Sequence, residues 1–547
     1  MRFGAFVVMS ALGCAALSAN AGLPVVTESG PLTGTVSTDG KVNEYLGIPY
    51  AAPPVGPLRW MPPQPFGAWT GTLAATTYAR PCPQQSPASP TGSIGVEDCL
   101  HLNVFVPNFT TTDREDESGL AVMVWVHGGG LVRGDASDYD PTPLVEQGGV
   151  IVVTLDYRLG LLGFFAHPAL DREEHLAGNY GLMDQQAALA WVKRNIAAFG
   201  GNPARTTVFG ESAGGLSVYS QIASPLAAGL FERAIAQSGA YASFADYLER
   251  VVPLATAEST STPASPSGLD IAAALGCPDP ATAAPCLRNP ALTPAEIVTD
   301  DPPGVFPFID GSLLTQSLHS AYSSGNFNRV PVMTGTNHDE YRYFVATNFD
   351  VDLGTPLVNT CPSASPCYPA ALAKEYWSLS AAQFALVLAE YPVTASSAAD
   401  AGSLALGAAG TDGTFACTAE RAMQGLASHV LTFAYEFNDE NAPVPRQPGY
   451  STVSFPMGAY HSADVQYLFN LGGTPAPFTK GQAALSRAMI AYWTNFAKRS
   501  DPNAAGLALW IPYFPFADLR QSLVPPRPHI EFGFTTDHMC GQLWDRF

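Results

Sequence analysis

The segment Gly210-Glu211-Ser212-Ala213-Gly214 sets a serine hydroxyl between glycines. It follows the strand-like run Thr206 to Phe209 and precedes a helix-compatible run, Leu216 to Ile222. A strand that turns straight into a helix must carry its corner residue through a strained backbone. Glycines beside that corner let neighbouring chain come close. The corner side chain then stands above the sheet at a helix N-terminus, where peptide N–H groups favour negative charge. Ser212 is therefore the candidate nucleophile. A serine hydroxyl reacts poorly near neutral pH and needs a base, with an acid to hold that base. On such an elbow the partners follow in the order serine, acid, histidine. Gly335 to Glu340 offers two carboxylates, Asp339 and Glu340, directly after the apolar run Val330 to Thr334. Gly458 to Asp464 offers His461 in a Gly-flanked setting that His429, His529 and His538 lack. Attack on an ester carbonyl builds an oxyanion. His127-Gly128-Gly129-Gly130 follows the apolar run Ala121 to Val126, where the second half of an oxyanion hole belongs. Gly129, Gly130 and Ala213 are its candidate N–H donors. G-x-S-x-G alone is a weak signal, and the ordered set is what gives it weight.

The elements that must position these groups are legible. Ala121 to Val126, Val150 to Leu155 and Thr206 to Phe209 are apolar on both faces, as in central strands of a covered, parallel sheet. Between the second and third, Leu182, Leu189, Val192, Ile196 and Phe199 recur at near-helical spacing, and Gly200-Gly201-Asn202-Pro203 ends the helix. Strand, helix, strand is the repeating unit of an α/β fold. Further strands are expected at Leu102 to Val106, Phe231 to Gln237, Val330 to Gly335 and Leu431 to Phe437, and an amphipathic helix at Gly481 to Lys498. Residues 22–50 read as an antiparallel start. Residues 51–95 read as surface loops, 252–304 as an Ala/Pro/Ser/Thr-rich stretch with a helical piece at Leu269 to Leu275, and 394–413 as a candidate mobile segment. No internal repeat or linker divides the chain, so 22–547 is expected to be one domain with insertions.

The 547 residues are 47% hydrophobic and 13% charged, with a formal net charge of −21 and no basic cluster. That balance argues against nucleic acid and anionic membrane surfaces as partners. Arg2, the apolar run Phe3 to Leu17 and Ala19-Asn20-Ala21 read as a secretory signal cleaved after Ala21, with lipidation at Cys14 as the alternative. The apolar run is short for a membrane span, and no later stretch qualifies. Eight cysteines remain after cleavage, an even number that suggests disulfides in an exported chain. Spacing alone favours Cys277 with Cys286 and Cys361 with Cys367. No C-x-x-C pair or nearby His cluster points to zinc, and the serine chemistry needs no metal or organic cofactor.

Several separated motifs agree with one family. Glu97 to Val104, His127 to Gly130, Gly178 to Gln185, Phe199 to Pro203, Gly210 to Gly214, Gln237 to Gly239, Asn337 to Glu340 and the His461 segment resemble the type-B carboxylesterases. That family includes cholinesterases and some fungal lipases. The resemblance covers most of the mature chain. It implies an α/β-hydrolase fold, a mostly parallel sheet flanked by helices. It also implies Ser212 as nucleophile, Glu340 rather than Asp339 as acid and His461 as base, with Gly129, Gly130 and Ala213 as oxyanion donors. Glu211 would lie beside the nucleophile, and Ser238 with Asp464 would steady the His loop. The family's disulfides map onto Cys82 with Cys99, Cys277 with Cys286 and Cys417 with Cys540; Cys361 with Cys367 has no counterpart. Arg59 with Glu97 and Arg158 with Asp184 resemble internal ion pairs.

The resulting expectation is a secreted or periplasmic serine carboxylesterase acting on small to medium esters. Its activity should rise with pH near the ordinary imidazole value of about 6.5. The loop Pro83 to Asp98 holds no aromatic residue, which disfavours choline esters, since cation–π recognition needs an aromatic face. A lipase or sterol-ester hydrolase is the alternative within enzymes. A non-catalytic adhesion member of the fold is the alternative outside them, although such members typically lose a triad residue and this chain has all three. Sequence leaves the substrate and the oligomeric state open.

Overall fold

The computed structural model describes residues 21–547 except 87–88, 90–91, 109–117, 262–264, 302–304, 352–356, 358–366, 395–396 and 445–452. The signal segment before Ala21, Cys14 with it, lies outside the described residues, as does Cys361.

Among the described residues, one 13-stranded sheet organises the fold. Its strands are β1 (Ala21–Thr27), β2 (Gly30–Val36), β3 (Val42–Pro49), β4 (Leu73–Ala74), β5 (His101–Pro107), β6 (Leu120–Val126), β7 (Ile151–Leu155), β8 (Gly201–Glu211), β9 (Arg233–Gln237), β10 (Val332–Asn337), β11 (Thr432–Phe437), β12 (Leu519–Leu523) and β13 (His529–Phe532). The spatial order is β1-β2-β3-β5-β7-β6-β8-β9-β10-β11-β12-β13, with β4 beside β2. From β7 to β12 all neighbours run parallel, and β1, β2, β3, β5 and β13 join antiparallel. The expected antiparallel start and parallel centre are both present.

Alternation along β6 explains its unbroken apolar run. Val122, Val124 and Val126 enter the core on one face, while Ala121, Met123 and Trp125 enter the core on the other. Helix α1 (Tyr180–Asn195) and helix α2 (Ala213–Ala223) cover the first face through Leu182, Leu189, Val192, Leu216 and Ile222. A helix over Lys480–Arg499 covers the second through Leu485, Met489, Trp493 and Phe496. A sheet buried on both faces has no polar alternation to display. Past α1, a tight turn Ile196–Phe199 ends at Gly200, whose left-handed backbone (φ 85°) is the expected stop.

Two expectations change. The loops of 51–95 are less superficial than their composition suggests. Trp60 is fully buried and its Nε1 donates to Leu161 O at 2.7 Å, while Arg59 bridges Glu97 at 2.6 Å. The segment 394–413 contains helix α3 (Ala401–Gly410), which continues through a wide turn, Thr411–Ala416, into helix α4 (Cys417–Ala427). Its small residues serve close packing. A Cβ on Gly410 would overlap the Tyr341 ring, beside Glu340. The Gly410 backbone is helical (φ −67°), so Ala would gain about 1 kcal/mol of helix propensity if it fitted. Overpacking costs about 1–3 kcal/mol and wins. Gly410→Ala is thus expected to lower the urea midpoint, and an unchanged or raised midpoint would contradict this packing.

Disulfides close Cys82 with Cys99, Cys277 with Cys286 and Cys417 with Cys540. Such bridges belong to chains matured outside the reducing cytosol. Arg158 and Asp184 pair at 2.7 Å in the interior. No helix among the described residues is long and apolar enough to cross a membrane.

Candidate active site

Three parallel strands bring the site together at their C-terminal ends. β8 ends at Glu211, and Ser212 turns the chain into α2 with φ 56° and ψ −121°. A non-glycine residue persists there only when its surroundings fix it. They do so through close approach. A Cβ on Gly210 would lie 2.6 Å from Val126 O, and one on Gly214 would overlap the same oxygen. The two glycines are what let the elbow sit against the end of β6.

From that end runs the turn His127 to Gly130, with φ 101° at Gly129 and 67° at Gly130. It faces the elbow, for a Cβ on Gly128 would come within 3.2 Å of Ser212 Cβ. The Gly129 and Gly130 N–H groups have no backbone acceptor among the described residues. Ala213 opens α2, where an N–H has no intrahelical partner. His127 is packed in place by stacking on Tyr157, with centroids 4.4 Å apart, and burial holds its imidazole down, at about 4.

The turn after β10 carries Glu340. Glu340 Oε1 accepts from Thr336 Oγ1 and from Asn337 N, both at 2.8 Å, which leaves Oε2 for His461 Nδ1 at 2.5 Å. On the other side of the ring, His461 Nε2 is 2.8 Å from Ser212 Oγ. Ser212 is half-buried, whereas His461 and Glu340 are 4% and 0% exposed, so only the serine end opens outward. Asp339, the other carboxylate in the turn, points elsewhere. It pairs with Arg342 at 2.8 Å and accepts from Ala459 N at 2.9 Å, tying the His461 loop to the Glu340 turn.

Glu211 lies beside the serine, its Oε1 3.3 Å from His461 Nε2. Burial pushes its carboxyl up to about 8, against the pull of His461. For His461 burial acts downward. It is outweighed by Glu211, by Glu340 with its hydrogen bond and by Asp464, which together raise the imidazole to about 9. The expected value near 6.5 is corrected upward for that reason.

Asp464 is fully buried, but its partner differs from the expected one. It accepts from Gln237 Nε2 at 2.7 Å, whose Oε1 in turn accepts from Trp493 Nε1 at 3.0 Å. The Ser238 hydroxyl makes no hydrogen bond among the described residues. Gln237 is the better-placed member of that motif, because it ends β9 with its side chain toward the His loop. Sequence reasoning also missed the rings around His461. Phe344 lies 5.0 Å, Phe415 5.1 Å and Tyr343 6.0 Å away by centroids, and Tyr241 interacts with the Ser212 side chain. They come from three separate stretches with no common spacing. Only the Tyr343-Phe344 pair, shortly after Glu340, carried a positional hint.

Comparison with known proteins gives a consistent answer. Residues 22–524 match the family model described as the Carboxylesterase family. The chain is 34% identical to the cocaine esterase of Oryctolagus cuniculus over 90% of its own length and 89% of the relative's. It is 33% identical to the medium-chain fatty acyl-CoA hydrolase precursor of Anas platyrhynchos, covering 89% and 86%. It is also 33% identical to liver carboxylesterase 1 of Mus musculus, covering 93% and 91%. With a mostly parallel sheet flanked by helices and this match over nearly its whole length, the chain belongs to the carboxylesterase family and is a carboxylic ester hydrolase of the α/β-hydrolase fold.

Proposed function

We propose that the chain hydrolyses small to medium carboxylic esters through an acyl-enzyme on Ser212. In this reading His461 is general base and then acid, Glu340 orients it, and Gly129, Gly130 and Ala213 receive the oxyanion. One observation carries it: the unbroken line from Ser212 Oγ through both His461 nitrogens to Glu340 Oε2. His461 Nε2 takes the Ser212 proton as Oγ attacks the carbonyl carbon. The negative charge on the former carbonyl oxygen meets the three N–H groups, and losing one such donor typically costs about 3–4 kcal/mol of barrier. Collapse expels the alcohol, which takes the proton from Nε2. Water then gives a proton to Nε2 and its hydroxyl to the acyl carbon. Ser212 leaves with that proton and the carboxylic acid departs.

Rings from Tyr241, Tyr343, Phe344 and Phe415 around the reacting centre support apolar substituents on the ester. The strands drawn from Ala21 to Phe532 into one sheet support a single catalytic domain over 22–547. The disulfides among the described residues support export into the periplasm or beyond, and the A-x-A pattern at Ala19 to Ala21 supports cleavage after Ala21. Names among the relatives range from a cocaine esterase to a fatty acyl-CoA hydrolase, so acyl length is the property to measure. On p-nitrophenyl esters from acetyl to palmitoyl, kcat/KM is expected to peak among the short and medium chains. A steady rise to palmitoyl would replace this reading with a lipase or sterol-ester hydrolase.

The pH profile tests the electrostatics. Neutral His461 is the active base, so kcat/KM rises as its proton leaves. With the imidazole held up toward about 9, the acid limb is expected above the ordinary 6.5. Glu211→Gln removes a carboxyl 3.3 Å from Nε2 whose ionised form favours the protonated imidazole, and is expected to move the limb down. A limb at 6.5 or below, or one that the substitution leaves in place, would contradict this account.

A further inference from the structure

Behind the Glu340 turn, three ligand-type side chains meet from distant parts of the chain. His338 stands in the turn after β10, Glu436 lies in β11, and His538 sits near the C-terminus. Their ligating atoms all lie within 4.8 Å of one another. His538 Nε2 is 2.7 Å from Glu436 Oε1, and the His338 and His538 rings are 5.5 Å apart. The backbone holds them there. Glu436 registers with Thr336 across β10 and β11, and His538 is two residues from Cys540, which is bridged to Cys417 at the start of α4. No sequence spacing could reveal this convergence, because the members come from three separate regions.

The outer partners indicate what the cluster suits. Asp412 Oδ1 holds His538 Nδ1 at 2.6 Å, and the Tyr391 hydroxyl donates to Asp412 Oδ2 at 2.7 Å. Nε2 is thereby aimed at Glu436 and His338. A carboxylate on the far nitrogen is the usual support of a metal-ligating histidine. An ion pair of His538 with Asp412 and Glu436 accounts for those three groups alone. It leaves a second imidazole, His338, at the same spot, with Asp339 Oδ1 3.4 Å from its Nδ1 and Arg342 already paired to that carboxylate. Two imidazoles and one carboxylate, with a position left for water, are a zinc-type donor set. Tetrahedral bonds of about 2.0–2.1 Å place ligand atoms about 3.3 Å apart. Glu436 and His538 are buried, while the His338 side chain is 43% exposed, so it can swing inward and its side is the entry path.

We propose that His338, Glu436 and His538 bind one divalent transition-metal ion of the zinc class, clamping the C-terminal segment to the turn that carries Glu340. Binding releases to solvent the proton that His538 Nε2 shares with Glu436. The proposal is independent of the ester chemistry and assigns the ion no catalytic step.

The test uses the full mature chain, stripped with chelator and dialysed. Titration calorimetry with Zn2+ alone is expected to give one ion per chain with micromolar or tighter affinity, and Zn2+ is expected to raise the thermal midpoint. His338→Ala, at a half-exposed turn position, is expected to weaken binding by about tenfold or more and to abolish the thermal shift. Glu436→Gln, which keeps a hydrogen bond to His538, is expected to do the same. No binding by the unaltered chain would overturn the proposal. So would full binding by His338→Ala, which would place the ion on other histidines.

Discussion

Replacing Ser212 with Ala is expected to lower kcat by about a millionfold while leaving the thermal midpoint unchanged. Removing the nucleophile of such a triad costs about that much, because base and acid act only through it. What survives is the residual catalysis of oxyanion donors and binding, about a thousandfold or more over water. The fold should not register the change. The Ser212 side chain does not cap α2, and its hydroxyl faces His461 rather than the core. Ala meets the same left-handed strain at φ 56° as Ser does. Turnover in burst and steady-state assays, with unfolding followed alongside, checks both halves. Retained ester hydrolysis in a folded variant would remove Ser212 from the mechanism.

Glu340→Gln is expected to lower kcat by about ten-thousandfold, more than its small chemical change suggests. Glu340 Oε1 already accepts two hydrogen bonds, from Thr336 and Asn337. The amide oxygen of the variant must stay with those donors, so its NH2 turns toward His461 Nδ1. Nδ1 then has to accept, the proton moves to Nε2, and Nε2 can no longer take the proton of Ser212. A wrong tautomer in an intact triad geometry carries a loss of about this size. Asp339→Asn separates this from a general weakening of the loop. Asp339 anchors Ala459 but does not touch His461, so its variant is expected to lose stability first and far less of kcat. A loss below tenfold for Glu340→Gln would mean that another group holds the imidazole.

Sequence alone went far because the chemistry here imposes local demands. The Gly210 and Gly214 positions leave no room for side chains, the order of the partners follows from the elbow, and strands covered on both faces show as apolar runs. The limits were set by distance along the chain. Gln237 rather than Ser238 meets Asp464, because β9 ends with that side chain directed to the His loop. The helix Ala401–Gly410 hid in a composition of small residues that composition reads as loop, since Gly410 answers to Tyr341, some 70 positions earlier. The pKa of His461 could not be read from its neighbours in sequence either. Asp464 is three residues on in the same loop, but Glu211 and Glu340 reach His461 only in three dimensions, from the end of β8 and the turn after β10. The Cys277–Cys286 bridge closes a short loop that spacing already suggested. Cys417–Cys540 spans 123 residues and was available only through the family pattern.

The central claim is that the Ser212 hydroxyl, activated by His461, is the group that attacks the ester. Its most direct test is to treat the mature chain with a serine-reactive fluorophosphonate and locate the adduct by peptide mass spectrometry. Stoichiometric labelling on Ser212, with activity lost in step and no labelling of His461→Ala under the same conditions, is the expected result. An adduct on another residue, or full activity in protein labelled at Ser212, would contradict the account.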